Sequence, residues 1–471
     1  MLKCRTIMIL GCTSDAGKSL LTASLCRYFA NKGIRVAPFK AQNMSNNAAV
    51  TLSGGEIGRA QYLQAMAARV VPETRMNPIL LKPSSNTFSQ VIVNGKVSNE
   101  ISSMSWIERK NTLWPLVTEA LDSLRNEFDM VIIEGAGSPA EINLRAGDIV
   151  NMSVALHSNA ECYLVADIDR GGAFAHLLGT YQCLSSEEQK LVKGFVLNKF
   201  RGDPALLGNA YEWLESKTGV KTVALVPYVK HALPEEDAFF HKNSGDGNQK
   251  NVNIALVLYP WASNLEEFDP LFHEVGAKVV PIKSLSDLTE YDAIILPGSK
   301  STAKSLEYLR ESGLANALQK AAIAGKVIYG VCGGMQILGK SISDPHSIEN
   351  GGEADGFGLL PVETILQKEK QVAQRTVRWI HGGDVSGYEI HAGITTVTGA
   401  CQPILSDSLG WQNGNVYGVY LHGLFNNTAY RQYFLEMLGW QGSTFDWNAK
   451  IESELEKIAE LVSVSGWDKH L

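Results

Sequence analysis

Two series of short apolar runs divide this chain, and one polar stretch separates them. In the first series, residues 6–10, 35–39, 130–133, 162–166, 194–198 and 222–226 are apolar without strict alternation. Such runs predict strands buried on both faces, and helical spacing over 18–31 and 57–68 predicts the helices that cover them. The polar stretch, residues 241–251, is rich in Gly, Asn and Lys and reads as a linker. A second series follows at 252–258, 277–281, 293–296 and 327–330. The expected fold class is α/β, with two domains at 1–240 and 252–445, each built on a parallel sheet. The tail, 446–471, carries Glu, Lys and Leu at helical spacing and predicts an amphipathic helix.

Composition narrows the class. The chain has 471 residues, 45% hydrophobic and 19% charged, with a net charge of −7. That balance fits a compact protein and argues against a general nucleic-acid binder, which needs a basic surface. The seven cysteines contain no CxxC pair, so neither a disulfide framework nor a structural zinc site is expected. The apolar run Ile7-Met8-Ile9-Leu10 meets Gly11 too soon for a signal core or a membrane span. A cytoplasmic enzyme without a membrane partner is the expectation, and no pattern speaks to its oligomeric state.

Chemistry enters first at the end of strand 6–10. Gly11-Cys12-Thr13-Ser14-Asp15-Ala16-Gly17-Lys18-Ser19 lies between that strand and the helix at 18–31. Glycines there let backbone amides turn onto phosphate oxygens at a helix N-terminus. Gly11, Thr13, Ser14, Gly17, Lys18 and Ser19 are therefore the candidate ATP-binding residues, with Lys18 on the β- and γ-phosphates and the Ser19 hydroxyl on Mg²⁺. Five residues, rather than the usual four, separate Gly11 from Gly17-Lys18-Ser19. Glu134 ends the strand at 130–133 and is the candidate second Mg²⁺ ligand. Asn198 ends another strand and is a candidate for the adenine edge, or a turn-forming residue.

A different chemistry is written in the second half. Gly330-Val331-Cys332-Gly333-Gly334 is a thiol form of the nucleophile elbow, between the strand at 327–330 and a helical run at 335–339. Small neighbours permit the sharp turn, and the helix N-terminus favours thiolate. The Gly333 amide and the Gly298 amide of Pro297-Gly298-Ser299 are candidate oxyanion donors. His422, in Val419-Tyr420-Leu421-His422-Gly423, is the candidate base. Glu389 and His391 are further polar candidates to which spacing gives no role.

The phosphate loop resembles that of dethiobiotin synthetase-like proteins, and the Cys332…His422 order resembles class I glutamine amidotransferases. Together the halves resemble the cobyrinate amidase group over nearly the whole chain. The matching segments include Phe39-Lys40-Ala41-Gln42-Asn43-Met44-Ser45, the segment 134–144 and Asp167-Ile168-Asp169-Arg170-Gly171-Gly172. They continue with Asn198-Lys199-Phe200-Arg201-Gly202-Asp203 and Gly387-Tyr388-Glu389-Ile390-His391-Ala392-Gly393. The resemblance implies a glutamine-hydrolysing amide synthase of cobalamin biosynthesis that consumes ATP with Mg²⁺ and takes ammonia from glutamine. The implied substrate is a corrinoid, adenosylcobyrinic acid a,c-diamide, amidated at its b, d, e and g carboxylates to adenosylcobyric acid. The alternatives are amidation of the a and c positions, or a partitioning-type ATPase switch carrying an inactive amidotransferase domain. Lys40, Asn43, Arg145, Arg170 and Arg201 lie in or beside the matched segments. They either receive the polyanionic substrate or form structural ion pairs. Many class I members carry an acid two residues after the histidine, where this chain has Leu424. A backbone carbonyl or another side chain then orients His422, or the site is a dyad.

Overall fold

The computed structural model describes residues 4–83, 89–234, 252–349 and 351–471. The expected linker at 241–251 lies outside the described residues. Each half is built on its own mainly parallel sheet. The first has six parallel strands in the order Thr222–Pro227, Val192–Phe200, Glu161–Asp167, Arg5–Gly11, Met130–Glu134, Val36–Phe39. Its central strands are almost wholly buried, which is why they read as continuous apolar runs. The second sheet runs Ala277–Ile282, Val252–Val257, Ala293–Leu296, Val327–Val331, Val416–Val419, then Gly410–Asn413 and Gln402–Leu405. Its first five strands are parallel and its last two antiparallel.

The helix expected at 18–31 is Lys18–Asn31, opened by Gly17 at φ 94°. The helix expected at 57–68 is shorter, Arg59–Ala67, because Glu56–Gly58 pairs antiparallel with Ala48–Val50. The buried Glu56 carboxylate draws that segment into the hairpin, since Lys82 of the same half and Lys370 of the other both bond to it. Two further features have no counterpart among the apolar runs. One is a small sheet of Gln42–Met44, Ile79–Pro83, Ser89–Val93 and Lys96–Val97. The other is a long hairpin, Val362–Arg378 with Asp384–Val397, that carries the 387–393 segment over the Cys332 domain.

The tail helix forms, as Trp447–Val464, with Asp446 capping its first amides. It packs on helix Lys18–Asn31, so the end of the chain completes the core of its beginning. Ile451, Leu455, Ile458, Leu461 and Val462 join Ile7, Ile9, Leu21 and Leu25 in one apolar cluster. The buried Arg27 bonds to Glu452 and Glu456, and the Tyr163 hydroxyl donates to the His470 carbonyl at 3.1 Å.

Leu455 is fully buried in that cluster. Leu455→Ala is expected to cost about 2–5 kcal/mol. Urea unfolding followed by a probe in the first sheet checks this: the transition shifts to lower urea although the substitution lies at the other end of the chain.

Candidate active site

The strand Arg5–Gly11 ends between Glu161–Asp167 and Met130–Glu134, so its following loop and Glu134 share one crevice. At Gly17 any Cβ would fall 2.1 Å from Asn198 Nδ2, so this position requires both positive φ and no side chain. Lys18 curls back over the loop, donating to the Thr13 carbonyl at 3.2 Å and the Gly137 carbonyl at 3.1 Å. Ser19 Oγ donates to Glu134 Oε1 at 2.8 Å.

Glu134 is buried and held from several sides. Lys40 Nζ lies 2.8 Å from Oε1, and the amides of Gln64 and Gln61 reach Oε2 at 2.5 and 3.5 Å. Burial raises the Glu134 pKa, but the Lys40 charge and the donors Lys40, Gln64 and Ser19 outweigh it and hold the carboxyl below its ordinary value. Lys18 moves the other way: burial lowers its pKa, and the Glu134 charge only partly offsets that.

A cavity of about 930 Å³ opens on this crevice. Ser14, Gly17, Lys18, Ser19, Lys40, Asn43, Glu134, Arg145, Arg170 and Asn198 line it, so the structure brings together most of the first-half candidates. Their pairing differs from the expectation in places. Asn198 donates its amide to the Ala16 carbonyl at 2.8 Å, which commits that donor to bracing the phosphate loop. Arg145 lies on the wall, but its guanidinium is bonded to Glu188 and to the Cys183 carbonyl. Arg170 is exposed, near Asp15 and Asp167. Arg201 is not among the lining residues; it pairs with Asp169 at 3.5 Å and lies 3.7 Å over the Tyr228 ring. Lys199, which sequence reading left without a role, ties Asp167 at 3.0 Å to the Asp15 carbonyl at 2.7 Å.

In the other half, Cys332 stands at φ 50°, ψ −108° at the start of helix Gly333–Leu338. Its neighbours explain how a non-glycine residue is held there. A Cβ on Gly330 would lie 2.6 Å from the Met335 nitrogen, and one on Gly334 would lie 2.1 Å from the Leu296 oxygen. The turn therefore packs directly on the adjacent strand, and the strain is confined to the sulfur-bearing residue. Gly333 packs against Ser299, and Gly298 lies beside His422, with 3.1 Å from a built Cβ to the ring. Both oxyanion candidates thus adjoin the Cys332–His422 region.

The histidine has a carboxylate partner that sequence reading missed. His422 Nδ1 donates to Glu267 Oε1 at 2.9 Å, and the Gly423 amide donates to Oε2 at 3.0 Å. Glu267 lies far upstream, in a single-turn helix, Leu265–Phe268. Two acids between Leu265 and Phe268 were the available signal, but the same run reads equally as a solvated turn. Leu424, at the position of the expected acid, is buried instead. Burial lowers the His422 pKa, yet the Glu267 charge, the nearby Cys332 and the bond to Glu267 overcome it and raise the value to about 10. Glu389 and His391 form a separate group with Arg375, while their neighbour Tyr388 stacks on His422 at 5.2 Å between ring centres.

Comparison with known proteins agrees with this architecture. Residues 7–238 match the CobQ/CobB/MinD/ParA nucleotide binding domain, and residues 253–430 match the CobB/CobQ-like glutamine amidotransferase domain. The class is thus a nucleotide-binding domain fused to a glutamine amidotransferase domain. The cobyric acid synthase of Polaromonas naphthalenivorans is 50% identical over 445 residues, covering 90% of this chain and 91% of the relative. Those of Variovorax paradoxus and Deinococcus radiodurans are each 50% identical over 441 residues, covering 90% and 91% of this chain and 91% and 92% of the relatives. The chain belongs to the cobyric acid synthase family.

Glu267→Gln is expected to lower glutamine hydrolysis by about 10²–10⁴-fold, because the imidazole loses its orienting anion. A glutamate-release assay measures this. The raised His422 pKa also has a stability consequence. Its contribution is complete below the unfolded value of 6.5 and is lost as pH rises towards the folded value of about 10. Denaturation midpoints between these limits should fall with pH, and fall less steeply in Glu267→Gln.

Proposed function

We propose that this protein amidates the b, d, e and g carboxylates of adenosylcobyrinic acid a,c-diamide, using ATP for activation and glutamine as the nitrogen source. The observation that carries this reading is the pairing, in one chain of this family, of a Lys18–Ser19–Glu134 phosphate crevice with a Cys332–His422–Glu267 triad.

In this reading ATP lies along Gly11–Ser19, with its phosphates towards Lys18 and Lys40. A substrate carboxylate oxygen attacks the γ-phosphorus as the bond to ADP breaks, and Lys18 and Lys40 offset the charge on the phosphoryl oxygens. The Ser19 hydroxyl and the Glu134 carboxylate, 2.8 Å apart, are hard oxygen donors that suit Mg²⁺ completed by phosphate oxygens. A cation bound there would add to that charge neutralisation. In the second domain the Cys332 sulfur attacks the glutamine amide carbon, with Gly298 and Gly333 as the proposed oxyanion donors. His422 gives its proton to the departing ammonia and then takes one from the water that cleaves the thioester. Ammonia displaces phosphate from the acyl phosphate to give the amide. The remaining cavity wall, with Asn43, Arg145 and Arg170, is the proposed place for the anionic corrinoid.

The switch reading has no use for an intact triad, and Glu267 as a third member counts further against it.

Mass spectrometry of the corrinoid after incubation with ATP, Mg²⁺ and glutamine should show four added amides. Cys332→Ala should abolish glutamine-driven product while ammonium-driven product persists, and Lys18→Ala should stop both. Unchanged glutamine-driven turnover in Cys332→Ala would remove the nucleophile from this mechanism.

A further inference from the structure

The nucleotide cavity changes character among its lining residues. Lys18, Lys40, Asn43 and Glu134 are polar, and each is no more than 8% exposed. Two other lining residues are the opposite, large, apolar and open to solvent: Met44 is 59% exposed and Leu144 is 44% exposed. Ile142, two residues before Leu144, is 58% exposed. A single exposed apolar side chain is ordinary, but several gathered at one cavity mark a binding surface. Neither segment uses these side chains for the core. In strand Gln42–Met44 the first two residues are buried and only Met44 is open, and the turn Ile142–Gly147 has no buried residue.

Topology puts both segments on one side of the phosphate loop. That loop follows Arg5–Gly11, with Met130–Glu134 and Val36–Phe39 on one side of it in the sheet and the other three strands on the opposite side. Met44 comes after Val36–Phe39 and Leu144 after Met130–Glu134. Lys40 and Glu134, near which the γ-phosphate lies in the proposed mechanism, belong to the same side. An acceptor carboxylate therefore reaches the phosphate from the side of Met44 and Leu144. A corrin ring is broad and apolar-faced, and its b, d, e and g groups stand at different points of its edge. Amidating all four at one centre requires the ring in four orientations. Hydrogen bonds are directional and hold one orientation, whereas apolar burial is non-directional and tolerates all four. Methionine also adapts its shape through three rotatable bonds.

We propose that Met44 and Leu144, with Ile142 beside them, form an apolar platform that receives the face of the corrin ring and lets it turn, so that each carboxylate reaches the same Lys18–Lys40 centre. These residues select a large, apolar-faced polycarboxylate by contact with its ring rather than with its charges. This rests on the function proposed above.

The test uses the full-length protein carrying Met44→Gln and Leu144→Asn together, which keep size and replace apolar surface by polar surface at two exposed positions. Equilibrium dialysis measures the binding of adenosylcobyrinic acid a,c-diamide, and ammonium-driven synthesis with ATP and Mg²⁺ gives KM and kcat. The double variant should bind the corrinoid about tenfold more weakly, the scale of two partly buried apolar side chains. The loss should appear in the corrinoid KM rather than in kcat or in the KM for ATP. The apolar swap Met44→Leu with Leu144→Met should retain wild-type affinity. Mass spectrometry at equal conversion should show the partly amidated intermediates in wild-type proportions, because all four steps lose alike. Unchanged corrinoid affinity in the double variant would overturn the platform, as would an equal loss of ATP affinity or a block confined to one of the four amidations. Absence of both corrinoid binding and amide product in wild type would instead overturn the proposed function on which the platform depends.

Discussion

The docking of its two halves is the constraint on which the relative placement of this protein's two centres depends. Several independent contacts hold them. The Asn264 amide donates to Asn47 Oδ1 at 2.9 Å, and Asn264 Oδ1 accepts from the Ala48 amide at 3.2 Å. Gln374 donates to the Val50 carbonyl at 2.7 Å. An apolar patch joins Ala48, Val50, Leu80 and Ile92 to Tyr388 and Ile390. Glu56 lies beside this patch, clamped by Lys82 and Lys370; burial would raise its pKa, but the two lysine charges drive it well below the ordinary range. A buried charge paired across a boundary penalises any other register, so this clamp specifies the docking more than it adds stability. The tail helix adds a second tie by returning the chain end to the first domain's core.

Within that frame both centres use the same device: a buried carboxylate whose oxygens are filled by donors from different elements. Glu134 accepts from Lys40, Ser19, Gln61 and Gln64, and Glu267 accepts from His422 and the Gly423 amide. Each carboxylate is thereby fixed in position before any substrate arrives. At Cys332 the fixed quantity is conformational, with a positive φ imposed by backbone packing on Gly330 and Gly334. Electrostatic preorganisation of this kind avoids reorganisation during reaction.

What could be read from the chain was whatever repeats or turns locally. Apolar runs, helical spacing, the Gly11–Ser19 loop and the Gly330–Gly334 elbow each carry their structural instruction within about ten residues, because strand burial and turn geometry act at that range. That sufficed for the two parallel sheets, for the phosphate loop and for the turn that carries Cys332. The helix expected at 57–68 began too early because Glu56 answers to Lys82 and Lys370, which no local window contains.

Tertiary structure alone decided the pairings. Glu267 became the partner of His422, Lys40 that of Glu134, and Arg145 that of Glu188, because folding brings together side chains whose sequence separation carries no signal. The long hairpin that stacks Tyr388 on His422 and the tail's return to the first domain are likewise settled by where apolar faces meet in space. The sequence by itself determined which chemical groups were available and which turns would present them. Only the fold determined which group faces which, since hydrogen bonds and ion pairs depend on distance through space rather than along the chain.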